Sequence, residues 1–137
     1  MAGEASGDYP GSRLIRSIRR LNDDVEFIGI GGDCMDQVGL IPLFKISELS
    51  IIGIWEVLGK ICHVKRLIKK TTDTIMQYNP DVVIGIDSSG FTHRVYKELK
   101  KRNFAHSIVH YVAPPVWAWR KWRAKTMHKF IDKLLVL

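Results

Sequence analysis

Cysteine is scarce in this chain, long apolar runs are missing, and acidic residues nearly vanish from its last third. The 2 cysteines, Cys34 and Cys62, form no CxxC pair and have no histidine at metal-ligand spacing. That pattern excludes a disulfide scaffold, argues against a zinc site, and suits reduced core thiols in a cytoplasmic protein. No apolar run approaches the roughly 18 residues needed to cross a bilayer. The first residues lack a charged region followed by an apolar stretch, so no secretory signal is expected. Residues 93–137 carry 11 Lys and Arg against 2 Asp and Glu, whereas residues 1–92 carry 10 against 12. The net charge of +7 is therefore concentrated at one end. Such asymmetry suggests an anionic partner there (phosphate, nucleic acid or an acidic membrane face), or simply a solvated basic surface.

What is present fits one compact domain: 137 residues, 46% of them apolar. Apolar residues at positions 14, 15, 18 and 21 mark a helix over Ser12 to Leu21. Val25 to Ile30 reads as a strand ended by Gly31-Gly32, and Asp33 to Val38 as a short helix stopped by Gly39. Leu40 to Phe44 is a second strand, pushed to an edge or loop position by Pro42. A long helix is expected over Ile54 to Tyr78, closed by Asn79-Pro80. Val82 to Ile86 is apolar on both faces, as strands of parallel sheets usually are. A helix over Phe91 to Arg102, a strand over Ser107 to Val112, a helix over Arg120 to Phe130 and a strand starting at Lys133 complete the pattern. Alternating strands and helices imply an α/β fold with a doubly wound, Rossmann-like parallel sheet. Gly3 to Gly7 resembles the turn from a first strand into a first helix, yet only Met1 and Ala2 precede it. The first strand is therefore expected to be lacking, and the chain reads as an interior piece of a larger protein.

In an open parallel sheet, ligands bind beyond the carboxyl ends of the strands. Four segments occupy such positions. Ala2 to Asp8 is glycine-rich and opens a helix, which suits an anion, although glycine turns before helices are common; no Gly-Lys-Ser/Thr follows, so it is not a Walker A loop. Gly29 to Asp33 either approaches a ligand or serves tight strand-to-helix packing. Gly85 to Gly90 carries Asp87 at the end of an apolar strand, where a carboxylate either does chemistry or caps the next helix. His110 to Trp119, H-Y-V-A-P-P-V-W-A-W, pairs a rigid proline turn with two tryptophans. Trp117 and Trp119 are either core anchors or a surface for a sugar or acyl chains. Arg120, Lys121, Arg123 and Lys125 follow, suited to a phosphate.

Taken together, Ala2-Gly3-Glu4-Ala5-Ser6-Gly7-Asp8, Ile28-Gly29-Ile30-Gly31-Gly32, Trp55-Glu56-Val57-Leu58, Pro80 to Asp87 and His110 to Trp119 resemble the lipid A disaccharide synthase family, in the family's order and over essentially the whole chain. The resemblance implies the N-terminal, acceptor-side domain of a two-domain GT-B glycosyltransferase, without its C-terminal domain. It implies transfer of diacylglucosamine from its UDP derivative to diacylglucosamine 1-phosphate, giving a β-1,6 disaccharide and UDP. Asp87 corresponds to the family's catalytic aspartate and Glu4 to its first-loop glutamate. The candidate substrate contacts are Gly3, Glu4, Ser6 and Gly7 of the first loop, Gly31 and Gly32 of the second, Ser88 of the third, and Pro114, Trp117, Trp119 and Arg120 of the fourth. An inverting transfer needs one base, and arginines with a helix N-terminus can stabilise a departing diphosphate, so neither metal nor cofactor is expected. One departure stands out: many members read Ala-Pro-Asp-Phe-Asn after the catalytic aspartate, where this chain has Ser88-Ser89-Gly90-Phe91-Thr92. The second aspartate is absent, and any role for it with it. Holding little more than a third of the family's length, the chain is expected not to complete transfer alone.

The long helix places Ile54, Val57, Leu58, Ile61, Val64 and Ile68 on one face, rimmed by Lys60, Arg66, Lys69 and Lys70. It is either an ordinary core-facing helix or a membrane contact through Ile54, Val57, Leu58 and Ile61, peripheral on the anionic inner face of the bacterial inner membrane. Two other classes compete. Trp119 to Arg123 suits a nucleic-acid-binding module, but the glycine loops and Asp87 have no task in it, so no nucleic acid is expected. The other is a non-catalytic remnant of the synthase.

Overall fold

The computed structural model describes residues 1–50, 57–87, 90–112 and 127–136, with the side chains of 50 and 57–61 excepted. A 3-10 turn, Ala5–Gly7, leads into helix α1, Asp8–Leu21. Helix α1 starts ahead of the Ser12 expected from apolar spacing because its first turn is polar. Pro10 is tolerated in that turn, where its missing N–H leaves no intrahelical bond unmade. Strand β1 (Phe27–Gly31), helix α2 (Asp33–Asp36), strand β2 (Leu40–Lys45) and helix α3 (Ser47–Ser50) follow. Helix α4 (Val57–Tyr78), strand β3 (Val82–Ile86), helix α5 (Thr92–Lys101), strand β4 (Ser107–Tyr111) and strand β5 (Lys133–Leu135) complete the order. The α/β, parallel, Rossmann-like architecture read from the sequence is what the chain adopts. Helix α3 went unanticipated, since Ser47 to Ser50 is too short to show a period. The expected Arg120 to Phe130 helix lies outside the described residues up to 126.

All strand pairs are parallel, β1 with β2 in one sheet and β3-β4-β5 in the other. Pro42 stands opposite Gly29 on β2, beside a register shift, so the proline tolerated there sits at an irregular edge. Residues 1 and 2 lie between the sheets, where the first strand was expected to be lacking. The Ala2 N–H donates to the Ile30 carbonyl at 2.8 Å, and the Ile86 N–H donates to the Met1 carbonyl at 2.9 Å. Ala2 and Ile86 form a parallel bridge.

Helices cover both faces. Val83 of β3 packs with Ile30, Ile108 and the α5 residues Val95, Tyr96 and Leu99, while Ile86 packs with Ala2, Ile15 of α1 and Met35 of α2. The alternation along β3 is that of a strand buried on both sides. On α4, Val64 and Ile68 pack against the first of these clusters, so this part of its apolar face looks inward. The buried Thr71 and Thr72 hydroxyls donate to the carbonyls of Leu67 and Ile68 one turn back, satisfying themselves within the helix. No described helix is long and apolar enough to cross a membrane. Arg102 donates to Asp73 at 2.6 Å and Glu98 at 3.3 Å, tying α5 to α4.

Helix α5 seats against the sheet through Tyr96, which is fully buried. Its hydroxyl lies 3.1 Å from Nδ1 of His110 and crowds the position a side chain would take at Gly85. The His110 ring is itself fully buried, edge-on to His93 and Tyr96. Burial pushes the His110 imidazole down to about 4, against an upward pull from the charge of Asp87. Two consequences follow for stability. Gly85→Ala must displace a hydroxyl with no room to move, and a loss of about 2 kcal/mol is expected in urea unfolding. His110 is neutral when folded and binds a proton when unfolded, so stability falls as pH drops from 6.5 towards 4. The drop should be on the order of 2–3 kcal/mol. A His110→Phe variant, compared over the same range by urea midpoints, should lose that part of the slope.

Candidate active site

The carboxyl ends of the Met1–Ala2 segment and β3 bring the first loop and Asp87 together. Asp87 follows the last residue of β3 with φ +52, a left-handed backbone that side-chain-bearing residues rarely adopt. Its N–H still donates to the Tyr111 carbonyl at 3.1 Å, so the strand keeps its pairing while the chain turns. The half-buried carboxylate accepts a hydrogen bond from Ser6 Oγ at 2.7 Å through Oδ2, and Oδ1 has no hydrogen-bond partner among the described residues. Helix α5 opens at Thr92 with Phe91 at the cap position and no side-chain cap bond. The cap position of that helix thus belongs to Phe91, four residues beyond Asp87.

The first loop reaches Asp87 by pressing against the sheet. Gly3 and Gly7 are buried, whereas Glu4 and Ser6 are exposed, with Glu4 in extended backbone ahead of the 3-10 turn. A methyl group on Gly7 would lie 3.0 Å from Ala2 Cβ and 3.2 Å from the Ile86 carbonyl oxygen, so glycine sets how closely the turn approaches β3. Ser6, one residue earlier, is thereby brought within reach of Asp87.

The second loop is fastened to the first by a residue that sequence reasoning missed. Asp8 accepts from the N–H groups of Gly32 at 2.9 Å, Cys34 at 3.0 Å and Met35 at 3.0 Å. Three amides of the turn into α2 are thus satisfied by one carboxylate from the start of α1. No local signal announces this bond, because its partners lie more than twenty residues apart in sequence. A side chain on Gly32 would run into Asp8, and one on Gly31 into Leu40 and Met35. Tight packing, one of the two readings of this loop, therefore accounts for both glycines.

The fourth loop begins at Val112, whose φ of +67 is strained for a β-branched residue and whose N–H donates to the Leu135 carbonyl at 3.1 Å. Left-handed residues thus end both neighbouring strands, β3 and β4, and turn the chain out of the sheet there. Pro114, Trp117, Trp119 and Arg120 lie outside the described residues, as do Ser88 and Ile54. Val57, Leu58 and Ile61 are described only as helical backbone. Among the described residues, no cluster of three His, Cys, Asp or Glu side chains could hold a metal ion. The arrangement presents a carboxylate held by Ser6 at a sheet edge, a group whose chemistry includes accepting a proton.

A family model described as Lipid-A-disaccharide synthetase matches residues 1–137. The chain is 46% identical over its whole length to the lipid-A-disaccharide synthase of Bradyrhizobium diazoefficiens, of which it covers 35%. It is 47% identical to that of Ruegeria pomeroyi and 44% identical to that of Rhodopseudomonas palustris strain HaA2, again over its whole length, covering 34% and 35% of them. The chain thus spans about a third of the length of these relatives. With one match running unbroken from the first glycine loop to β5, the chain belongs to the lipid-A-disaccharide synthetase family.

Proposed function

We propose that this chain supplies the acceptor side and the catalytic base of a GT-B glycosyltransferase of lipid A biosynthesis. The donor is UDP-diacylglucosamine and the acceptor diacylglucosamine 1-phosphate. Asp87 removes the proton from the acceptor 6-hydroxyl as its oxygen attacks the anomeric carbon of the donor. The bond from that carbon to the diphosphate breaks with its electron pair, UDP departs, and inversion leaves a β-1,6 linkage. The observation that carries this reading is the left-handed Asp87 with Ser6 on one oxygen and no partner among the described residues on the other. Ser6 holds the carboxylate in the direction a base must point, which is a positioning task. Glu4, exposed in the same loop, is assigned to the acceptor in this proposal, together with Gly3, Gly7, Gly31 and Gly32, which shape the loops beside it. Ser88, Pro114, Trp117, Trp119 and Arg120 complete the substrate contacts of this proposal. The nucleotide is held by a further domain, and residues 1–137 form a single partial domain.

The substrates carry acyl chains, so the enzyme works at an anionic membrane surface, on the cytoplasmic side. Val57, Leu58 and Ile61 in the first turns of α4, together with Ile54 ahead of it in sequence, are the contact we assign to it. The exposed Lys65, Arg66, Lys69 and Lys70 form its basic flank.

In the full-length enzyme that contains this chain, Asp87→Asn should lower kcat by a factor of about 100 to 10,000 in a UDP-release assay, with little change in melting temperature. Ser6→Ala should cost roughly tenfold in kcat with KM nearly unchanged, the loss of about one positioning hydrogen bond. Wild-type rates from Asp87→Asn would remove the base from the proposal. UDP release by the isolated 137-residue chain, dependent on Asp87, would remove the need for a second domain. Leu58→Ser with Ile61→Ser should weaken sedimentation with phosphatidylglycerol vesicles several-fold, and undiminished binding would contradict the membrane assignment.

A further inference from the structure

Helix α1 carries four arginines and a single acidic residue, Asp8, which is committed to the amides of the turn at Gly32. Three of the arginines have other surroundings. Arg16 lies within electrostatic range of Cys34 in α2, Arg19 stands over the Phe27 ring at 5.5 Å, and Arg20 belongs to the last turn. Arg13 is exposed, closest along the helix to the first loop, and has no ion pair among the described residues.

The 3-10 turn runs straight into α1, with Gly7 in helical backbone between them. Positions three, four and seven apart then share a face, so Ser6, Tyr9 and Arg13 form one exposed line. Ser6 donates to Asp87 at 2.7 Å, which sets the head of that line at the proposed base. Tyr9 comes next, 64% exposed. A lone aromatic on a surface means little. One set between a carboxylate and a guanidinium without a counter-charge is a flat apolar platform with a positive group at its far side. Helix rise separates the Ser6 and Arg13 backbones by about 10 Å. Helical side chains lean towards the amino end, so an extended Arg13 reaches back over the turn that holds Tyr9. That brings its guanidinium towards Asp87 by most of a side-chain length, leaving room for one sugar ring between them.

We propose that Tyr9 and Arg13 hold the acceptor. The Tyr9 ring lies against the apolar face of the glucosamine, and the Arg13 guanidinium binds the 1-phosphate through charge-assisted hydrogen bonds. With the ring face and the phosphate both fixed, the sugar keeps one orientation, in which its 6-hydroxyl is turned towards Asp87. Binding at Arg13 also makes the phosphate a requirement of the acceptor site. This inference rests on the transfer reaction proposed above and names the residues that select its acceptor.

The test uses the full-length enzyme, with diacylglucosamine 1-phosphate and phosphate-free diacylglucosamine as alternative acceptors. Arg13→Gln should raise the KM for the phosphorylated acceptor about tenfold or more, with kcat, donor KM and melting temperature nearly unchanged. With the phosphate-free acceptor, wild type and Arg13→Gln should have equal KM. Tyr9→Ala should raise the KM for both acceptors several-fold, and Tyr9→Phe for neither. An unchanged KM in Arg13→Gln, or an equal rise with both acceptors, would overturn the phosphate contact. An unchanged KM in Tyr9→Ala would overturn the ring contact. Either result requires turnover and so leaves the transfer reaction standing. Absence of UDP release by the wild-type enzyme would instead remove that reaction, and this inference with it.

Discussion

Ala2 is fully buried, and its backbone is where the two sheets are joined. A buried amide must find a partner, and here the partners come from opposite sides: Ile30 of β1 accepts from Ala2, while Ile86 of β3 donates to the adjacent Met1 carbonyl. The small side chain of Ala2 lets Gly7 fold down on it, and that descent carries Ser6 to Asp87. The polar edge of the molecule is therefore a consequence of how backbone hydrogen bonds are satisfied in its interior. A larger residue at position 2 would lift the first loop, and with it the hydrogen bond that aims the carboxylate.

Three aspartates show how surroundings divide one residue type among different tasks. Asp8 accepts three backbone amides and joins the first two loops. Asp132 accepts the Ile108 N–H at 2.8 Å and the Lys100 ammonium, which hold its carboxyl below the usual range and fasten the approach to β5. Both are occupied with holding the chain. Asp87 has one side-chain partner among the described residues, Ser6, and a left-handed backbone. Backbone strain of this kind persists where the surrounding structure over-determines it.

Beneath that edge, His110, His93, Tyr96 and Phe130 form a packed aromatic layer between β4 and α5. It makes the floor of the site rigid, because the Tyr96 hydroxyl is held between Gly85 and His110. The same burial that stiffens the floor keeps His110 uncharged, so no cation sits under Asp87 near neutral pH. Positive charge is instead kept on exposed surfaces such as the Lys65 to Lys70 flank of α4.

Much of the fold was legible in the chain itself. Apolar runs at Val82 to Ile86 and Ser107 to Tyr111 marked buried parallel strands, Pro42 marked an irregular edge, and Asn79-Pro80 closed the long helix. The glycine loops and Asp87 were legible as one edge because strand order alone brings them to the carboxyl ends. Helix α1 was placed late because its polar first turn carries no apolar period, and α3 is shorter than any period. What local sequence could not supply was every contact between distant segments: Asp8 with the turn at Gly32, Ser6 with Asp87, and Tyr96 with His110. It also left open whether Gly31 and Gly32 serve packing, and which way the α4 face looks at Val64 and Ile68. The sequence by itself determined the elements, their parallel arrangement and the family, because periodicity and motif order are local properties of the chain. Tertiary structure alone decided that Asp8 and Asp132 hold backbone amides while Asp87 meets Ser6, because those partners come within hydrogen-bond reach only on folding.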